Sequence, residues 1–205
     1  GDLSVVYPLA RSSPLFLTIL AVLFLNESIS AWGVVGIATM VIGVYTIHLE
    51  SFTLKDITLP LRSLRGRASQ FALLTALWTT VYSLTDKMGV TAVDPVAYSL
   101  WLEAFIVPMM TVAILWRRGK DALVREWRNS RVNATAGGFL MRFGYVLVLI
   151  AMSQVQVSYI LALRQLSVVL GAAAGVLLLR EKYGRVRLVS STIIFLGVYI
   201  LAVLA

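Results

Sequence analysis

Ser4–Tyr45, which ends LNESISAWGVVGIATMVIGVY (25–45), recurs without a gap as Ser158–Tyr199, which ends LREKYGRVRLVSSTIIFLGVY (179–199). Matches of Leu and Val are expected in an apolar chain. The evidence therefore rests on Glu27 matching Glu181 and on the Gly-Val-Tyr triplet that closes each copy. An internal repeat with a fixed separation indicates a fold that was built by duplication.

The composition indicates that the chain lies in a membrane. Apolar residues make up 59% of it and charged residues 14%, against about 25% charged residues in soluble domains. A spanning helix needs roughly 20 apolar residues, and seven segments are long enough. The sequence therefore predicts an all-α, polytopic membrane protein with seven transmembrane helices. The segments are 4–25, 30–49, 69–88, 94–116, 134–153, 157–179 and 186–205.

The repeat predicts how these helices are organised. Its first copy covers segments one and two and its second covers six and seven, so the duplicated unit holds five helices. We expect 1–50 to be the last two helices of a first repeat, 51–68 a basic connecting loop, and 69–205 the second repeat. The chain would then be the last seven helices of a ten-helix protein. Because five is odd, the two halves are expected to be inverted in the membrane.

The basic residues predict the orientation. Loops 51–68, 117–133 and 180–187 lie on one side of the predicted membrane and hold nearly all the basic residues outside the spans, whereas the other side holds only Lys87. The positive-inside rule therefore predicts that these loops are cytoplasmic. The basic residues on this side are Lys55, Arg62, Arg65, Arg67, Arg117, Arg118, Lys120, Arg125, Arg128, Arg131, Arg180, Lys182, Arg185 and Arg187.

Several classes of site are not expected. The chain has no cysteine and a single histidine, His48, which argues against disulfides, thiolate catalysis and zinc centres. It contains neither a GxSxG nor an HExxH motif, so an intramembrane enzyme is not supported. No cofactor, metal or nucleic-acid partner is predicted, and the net charge of +8 is explained by topology.

Five short motifs resemble the EamA-like family of the drug/metabolite transporter superfamily. They are Tyr7–Leu15 (YPLARSSPL), Leu23–Ser30 (LFLNESIS), Gly43–Tyr45 (GVY), Ala76–Trp78 (ALW) and Leu177–Glu181 (LLLRE). The resemblance implies ten helices in two five-helix halves and a transporter, usually an exporter, in the bacterial inner membrane. Family members are associated with amino acids, other metabolites and toxic compounds. They are usually drawn with both ends in the cytoplasm, whereas the charge count predicts the opposite orientation here.

Four charged residues fall inside predicted spans: Arg11, Glu103, Arg142 and Arg164. A charge at the centre of a spanning helix costs about 3 kcal/mol on insertion scales, so each suggests a function. We predict that Arg142 and Glu103 face a central cavity and neutralise each other when it is empty. An anionic substrate would compete for the guanidinium, or Glu103 would take up a proton. The alternative is a purely structural ion pair.

We predict further substrate-binding residues from their sequence separation from these charges or from one another. Trp78 and Tyr82 are four residues apart and share a helix face. Trp101, Tyr145 and Gln165 complete the predicted set. The alternative for each aromatic residue is packing or an interface belt.

Three further acidic residues receive other roles. Glu27 and Glu181, at tight turns, are predicted to be turn and capping residues. Asp86 is adjacent to Lys87 at a predicted helix end and is expected to lie at the membrane interface.

The sequence thus favours a carrier for a small anionic or amino-acid-like metabolite, working by alternating access and open to proton coupling. The alternative is a multidrug-type exporter of amphipathic cations bound by Glu103 and the aromatics. A channel or scaffold subunit is the alternative class. Membrane lipid is an expected partner, and a homodimer is left open.

Overall fold

A computed structural model of the chain describes residues 6, 9–47, 49, 51–62, 64–177 and 184–205, without the side chains of 59–62, 172–177 and 184. Most of these residues are helical, and none of them lies in a strand. In chain order the helices are α1 (Ser13–Leu25), α2 (Ala31–Thr46), α3 (Leu54–Arg62), α4 (Arg67–Ala92), α5 (Pro95–Gln154), α6 (Val157–Leu163), α7 (Leu166–Leu177) and α8 (Gly184–Val203).

The chain divides into two compact units. The repeat unit comprises Gly1–Thr85 with Gln156–Ala205, and the hairpin unit comprises Asp86–Val155. Both copies of the repeat belong to the repeat unit because they pack against each other. The compact units therefore do not coincide with the predicted boundaries at residues 50 and 69. Those boundaries separate the predicted five-helix repeats, and they stay a prediction.

A tight turn joins α1 to α2. Helix α1 ends at Leu25 because Asn26 adopts a left-handed backbone with φ 53°, and its N–H donates to the carbonyl of Ala21. Helix α2 begins where the Ser30 hydroxyl accepts a hydrogen bond from the Gly33 N–H at 2.9 Å, as an N-cap residue does.

Glu27, in this turn, caps a helix of the other repeat copy. Its carboxylate accepts the N–H of Val157 at 2.6 Å and the hydroxyl of Ser158 at 2.7 Å. Val157 begins α6, so the carboxylate satisfies a donor that the helix cannot satisfy itself and faces its positive end. The predicted capping role of Glu27 is confirmed. Glu181 lies outside the described residues.

Helices α2 and α8 approach closely at glycines. A Cβ added at Gly43 would lie 3.0 Å from the carbonyl oxygen of Ser190, and one added at Gly197 would lie 2.8 Å from that of Gly36. The repeat equates Gly43 with Gly197 and Gly36 with Ser190. Exchanging the two copies therefore turns one contact into the other. Because the later residue of α2 meets the earlier residue of α8, the two helices run antiparallel.

Helix α5 is bent. Gly119 (φ 75°, ψ 167°) and Ser130 (φ −127°, ψ 15°) depart from helical geometry. The chain folds back between them, which brings Arg142 Nη1 within 2.9 Å of Glu103 Oε1. The segment 117–133, predicted as the connection between the fourth and fifth spans, is helical apart from Gly119 and Ser130.

The predicted connecting loop 51–68 also contains a helix, α3. The hydroxyl of Ser51, which precedes α3, donates to the carboxylate of Asp56 in the first turn of this helix. This bond is the main cause of the lowered pKa of Asp56. The Tyr45 hydroxyl of α2 donates to the carbonyl of Ile57 at 2.5 Å and so holds α3 against α2.

Two described helices are long and apolar enough to cross a membrane by length and composition, α5 and the Arg185–Val203 part of α8. Shorter apolar helices cover Ser13–Leu25, Ala31–Thr46 and Val157–Gly171. The predicted count of seven spanning helices is not reproduced by these criteria and stays a prediction.

Candidate functional site

Both copies of the repeat interrupt a helix beside an arginine. Arg164–Gln165 form a turn between α6 and α7, and Arg11–Ser12 are non-helical immediately before α1. The repeat equates Arg11 with Gln165, so the two interruptions coincide to within one residue. Interrupted helices at equivalent positions of two repeats are typical of substrate sites in carriers.

Serine hydroxyls satisfy backbone groups at both interruptions. The hydroxyl of Ser12 donates to the Leu9 carbonyl at 2.7 Å, and that of Ser167 donates to the Arg164 carbonyl at 2.8 Å. Pro14 occupies the first turn of α1, where its missing N–H has no helical partner to lose. Helix α1 therefore begins at Ser13, directly after the interruption.

The two interruptions open onto one pocket of the repeat unit, with a volume of about 430 Å³. It holds four of the residues predicted to bind substrate. The residues that line it are Ala10, Arg11, Ser13, Thr75, Thr79, Tyr82, Leu161, Arg164, Gln165 and Ser167.

This pocket, which we call the arginine pocket, contains a donor and an acceptor without partners. Arg164 Nη1 and Gln165 Oε1 are buried and make no hydrogen bond within the part of the chain that the structure describes. Gln165 as a whole is only 3% exposed. Buried polar atoms are nearly always paired, because leaving one unpaired costs about 1–3 kcal/mol. Both residues line the arginine pocket, which makes them its candidate ligand-binding groups.

Helix α4 supplies a polar wall. Thr75, Thr79 and Tyr82 fall at positions i, i+4 and i+7 and so share one helix face, and all three line the pocket. Trp78 is 63% exposed and lies outside the lining. Neither threonine was among the predicted residues, although their spacing to Tyr82 identifies them once Tyr82 is chosen.

A second group of predicted residues meets in the hairpin unit. Arg142 Nη1 lies 2.9 Å from Glu103 Oε1, and the same guanidinium donates to the carbonyl of Ser99. Its carbon lies 6.0 Å from the centroid of the Tyr145 ring. The predicted Arg142–Glu103 ion pair is present, beside a pocket of about 240 Å³. Trp101 is 65% exposed and lines neither pocket.

The predicted site residues are thus distributed over two pockets. Arg11, Arg164, Gln165 and Tyr82 line the arginine pocket, whereas Glu103, Arg142 and Tyr145 line the second one. A single cavity that holds both sets stays a prediction, as do the roles of Trp78 and Trp101.

Asp86 occupies a position that the sequence did not suggest. It is 4% exposed and accepts hydrogen bonds from the hydroxyls of Tyr98 at 3.0 Å and Tyr145 at 2.7 Å. The helix end predicted at Asp86 is wrong, because α4 continues to Ala92, a turn and a half beyond it, while a place at the membrane interface stays a prediction. Its neighbour Lys87 points elsewhere and donates to two backbone carbonyls at the carboxyl end of α5.

An all-helical chain with exposed apolar helices, and with charged side chains gathered at helix interruptions, has the character of a membrane transport protein. The model of the EamA-like transporter family matches residues 67–203, about two thirds of the chain. The chain therefore belongs to this family and is a membrane transporter of the drug/metabolite type. The match includes Arg164 and Gln165 but not the first copy of the repeat. No curated protein and no solved structure matches the chain.

Proposed function

We propose that this transporter carries a small metabolite in which a carboxylate or phosphate stands next to a hydrogen-bond donor, as in an amino acid or a hydroxy acid. The observation that carries this proposal is the unpaired donor and acceptor in the arginine pocket, Arg164 Nη1 and Gln165 Oε1. Each needs a complementary atom, and one ligand with an anionic oxygen and an N–H or O–H group supplies both.

The charge of the pocket supports an anionic group. Its described lining includes Arg11 and Arg164 and no acidic residue. A guanidinium binds carboxylate or phosphate oxygens through two parallel hydrogen bonds, which gives geometric selectivity as well as affinity. The same lining disfavours the alternative, an amphipathic cation.

The size of the pocket supports a small solute. Its volume of about 430 Å³ lies near the lower end of the roughly 300–1,000 Å³ typical of small-molecule sites. The hydroxyls of Ser13, Thr79 and Tyr82 can bond the polar groups of such a solute, while Leu161 adds an apolar contact.

The transport mechanism that we propose is alternating access between inverted halves. The exchange-related contacts of Gly43 with Ser190 and of Gly197 with Gly36 support it, because antiparallel equivalents are related by a two-fold axis across the helices. Inverted repeats that rock about a site at their interface are a common carrier design. The resemblance to the family favours export as the direction.

Thermal unfolding of the purified chain with chosen solutes tests the substrate class. Lactate and glutamate carry a carboxylate beside a donor, acetate carries a carboxylate alone, and choline is a cation. A solute at a hundredfold excess over its Kd stabilises the folded state by about 2.7 kcal/mol. We expect the largest stabilisation from lactate or glutamate, a smaller one from acetate and none from choline, and no stabilisation by any of them in Arg164→Gln. Stabilisation by choline, or an unchanged response in the variant, would refute the assignment.

A further inference from the structure

A buried carboxylate connects three parts of the hairpin unit. Asp86 lies in α4, Tyr98 lies in the first turn of α5, and Tyr145 lies in its last third. The hydroxyl of Tyr98 donates to Oδ1 at 3.0 Å, and that of Tyr145 donates to Oδ2 at 2.7 Å. With 4% of Asp86 exposed, this cluster holds an acidic group in a nearly water-free setting.

Gly89 lets the tyrosine reach the acid. A Cβ at this position would lie 2.2 Å from Cε2 of Tyr98, so the ring lies directly on the glycine backbone. Gly89 follows Asp86 by three residues and therefore shares its helix face. A larger side chain would displace the ring and its hydroxyl, so this glycine is part of the site.

Two other charged side chains near the cluster, Lys87 and Arg142, bind groups of their own. The ammonium of Lys87 donates to two carbonyls at the carboxyl end of α5, where helix carbonyls lack partners. The guanidinium of Arg142 lies 6.0 Å from the ring centroid of Tyr145 and pairs with Glu103. Tyr145 thus contacts both the acid and this ion pair.

We propose that Asp86 is a proton-binding site of the transporter. Tyrosine hydroxyls both donate and accept, so the two tyrosines suit either state of the acid. The carboxylate accepts from both, whereas the neutral acid donates its own O–H to one tyrosine oxygen. One proton is taken from water on one side of the membrane and returned to water on the other. No other bond forms or breaks.

Protonation changes how firmly the end of α4 that begins at Asp86 is held to the two ends of α5, within the hairpin unit. Hydrogen bonds to an ionised group are about twice as strong as those between neutral groups. The neutral acid therefore holds Tyr98 and Tyr145 more weakly, and the cluster loosens. A coupling role for this step rests on the transport function proposed above, while proton binding itself requires no substrate.

Infrared difference spectra of the purified chain on acidification test the proposal. A protonated carboxylic acid gives a C=O stretching band, which an amide at position 86 cannot give. The matched control is Asp94→Asn, since Asp94 caps α5 through the N–H groups of Val96 and Ala97 and Asn caps equally well. We expect Asp86→Asn to lose a band that the wild type and Asp94→Asn share. Retention of every wild-type band in Asp86→Asn would overturn it.

Two further variants keep the test decisive should Asp86→Asn not fold, which circular dichroism would reveal. Tyr98→Phe removes one donor and Tyr145→Phe the other, so each is expected to shift the same band. Solute flux in vesicles with an imposed pH gradient then tests coupling. Exchange retained by Asp86→Asn without a response to the gradient supports it. If wild-type flux does not change with the gradient, the coupling role is refuted, while the proposed transport function is not affected.

Discussion

Ser13 and Ser167 stand 154 residues apart at equivalent positions of the repeat, and both line the arginine pocket. Each follows a helix interruption that carries an arginine. The two copies thus contribute matching elements to one pocket. The proposed inverted repeat would account for this arrangement, because an element that meets its own copy across a two-fold axis builds a site from both.

The two-point geometry of the guanidinium predicts the effect of a conservative change. Arg164→Lys keeps the positive charge but offers a point charge instead of a planar fork. We expect anion affinity to fall by about tenfold or more, since a hydrogen bond to a charged group contributes about 1.5–3 kcal/mol. Titrated thermal stabilisation by lactate measures it. Equal affinity in Arg164→Lys would show that only charge matters there.

The unpaired amide oxygen predicts opposite effects on stability and binding. Gln165→Met replaces it with an apolar group of similar length. We expect the empty protein to be stabilised, by up to about 1 kcal/mol, because a buried acceptor without a partner is costly. Stabilisation by lactate should weaken at the same time. A purely structural glutamine would instead give a less stable empty protein.

The close contact of α2 and α8 predicts a sharp cost for a single methyl group. Gly43→Ala and Gly197→Ala each place a Cβ against backbone atoms of the other helix, which cannot move aside as a flexible side chain can. We expect each to destabilise the fold by about 1–3 kcal/mol, with similar values for the two.

The matched control for these glycines is Gly138→Ala in α5. Its Cβ meets none of the described atoms within 4 Å, and alanine is favoured over glycine in a helix by roughly 0.5–1 kcal/mol. Urea denaturation in mild detergent compares the three variants. A large cost at Gly138, or none at Gly43, would contradict the contact between the repeats.

Glu27 predicts a measurable link between the two repeat copies. Glu27→Gln removes the negative charge from the amino end of α6, which we expect to cost about 0.5–1 kcal/mol. Ser158→Ala removes the hydroxyl bonded to the same carboxylate. Because the two groups bond directly, the double variant should be less destabilised than the sum of the singles. Strict additivity would show that the bond contributes nothing.

Cysteines placed at Ser63 and Ala205 test the predicted orientation with a reagent that does not cross membranes. The excess of basic residues in loops 51–68, 117–133 and 180–187 predicts labelling of position 205, but not of position 63, in intact cells. Labelling of position 63 would reverse the orientation.

Much of the arginine pocket follows from the sequence, because charges within apolar segments and helix spacing are visible in it. Arg11, Arg164, Gln165 and Tyr82 were predicted and lie in one pocket. The capping role of Glu27 also follows, since a repeated acid at a tight turn has few other uses.

The remaining features depend on long-range packing. Asp86 was predicted at an interface because it is adjacent to Lys87 at a predicted helix end, and the sequence gives no sign that two tyrosines from α5 bond to it. Segments 51–68 and 117–133 were predicted as connections between the apolar spans, and the structure shows that much of each is helical. Polarity alone cannot distinguish a loop from a solvated helix.

The most direct measurement is the initial rate of solute uptake into vesicles that contain the purified chain, over a range of concentrations of the solute that stabilises it best. A carrier with its site at Arg164 predicts a rate that saturates, and an Arg164→Gln variant whose rate matches empty vesicles. A rate that rises linearly without saturation, or one that Arg164→Gln leaves unchanged, would contradict it.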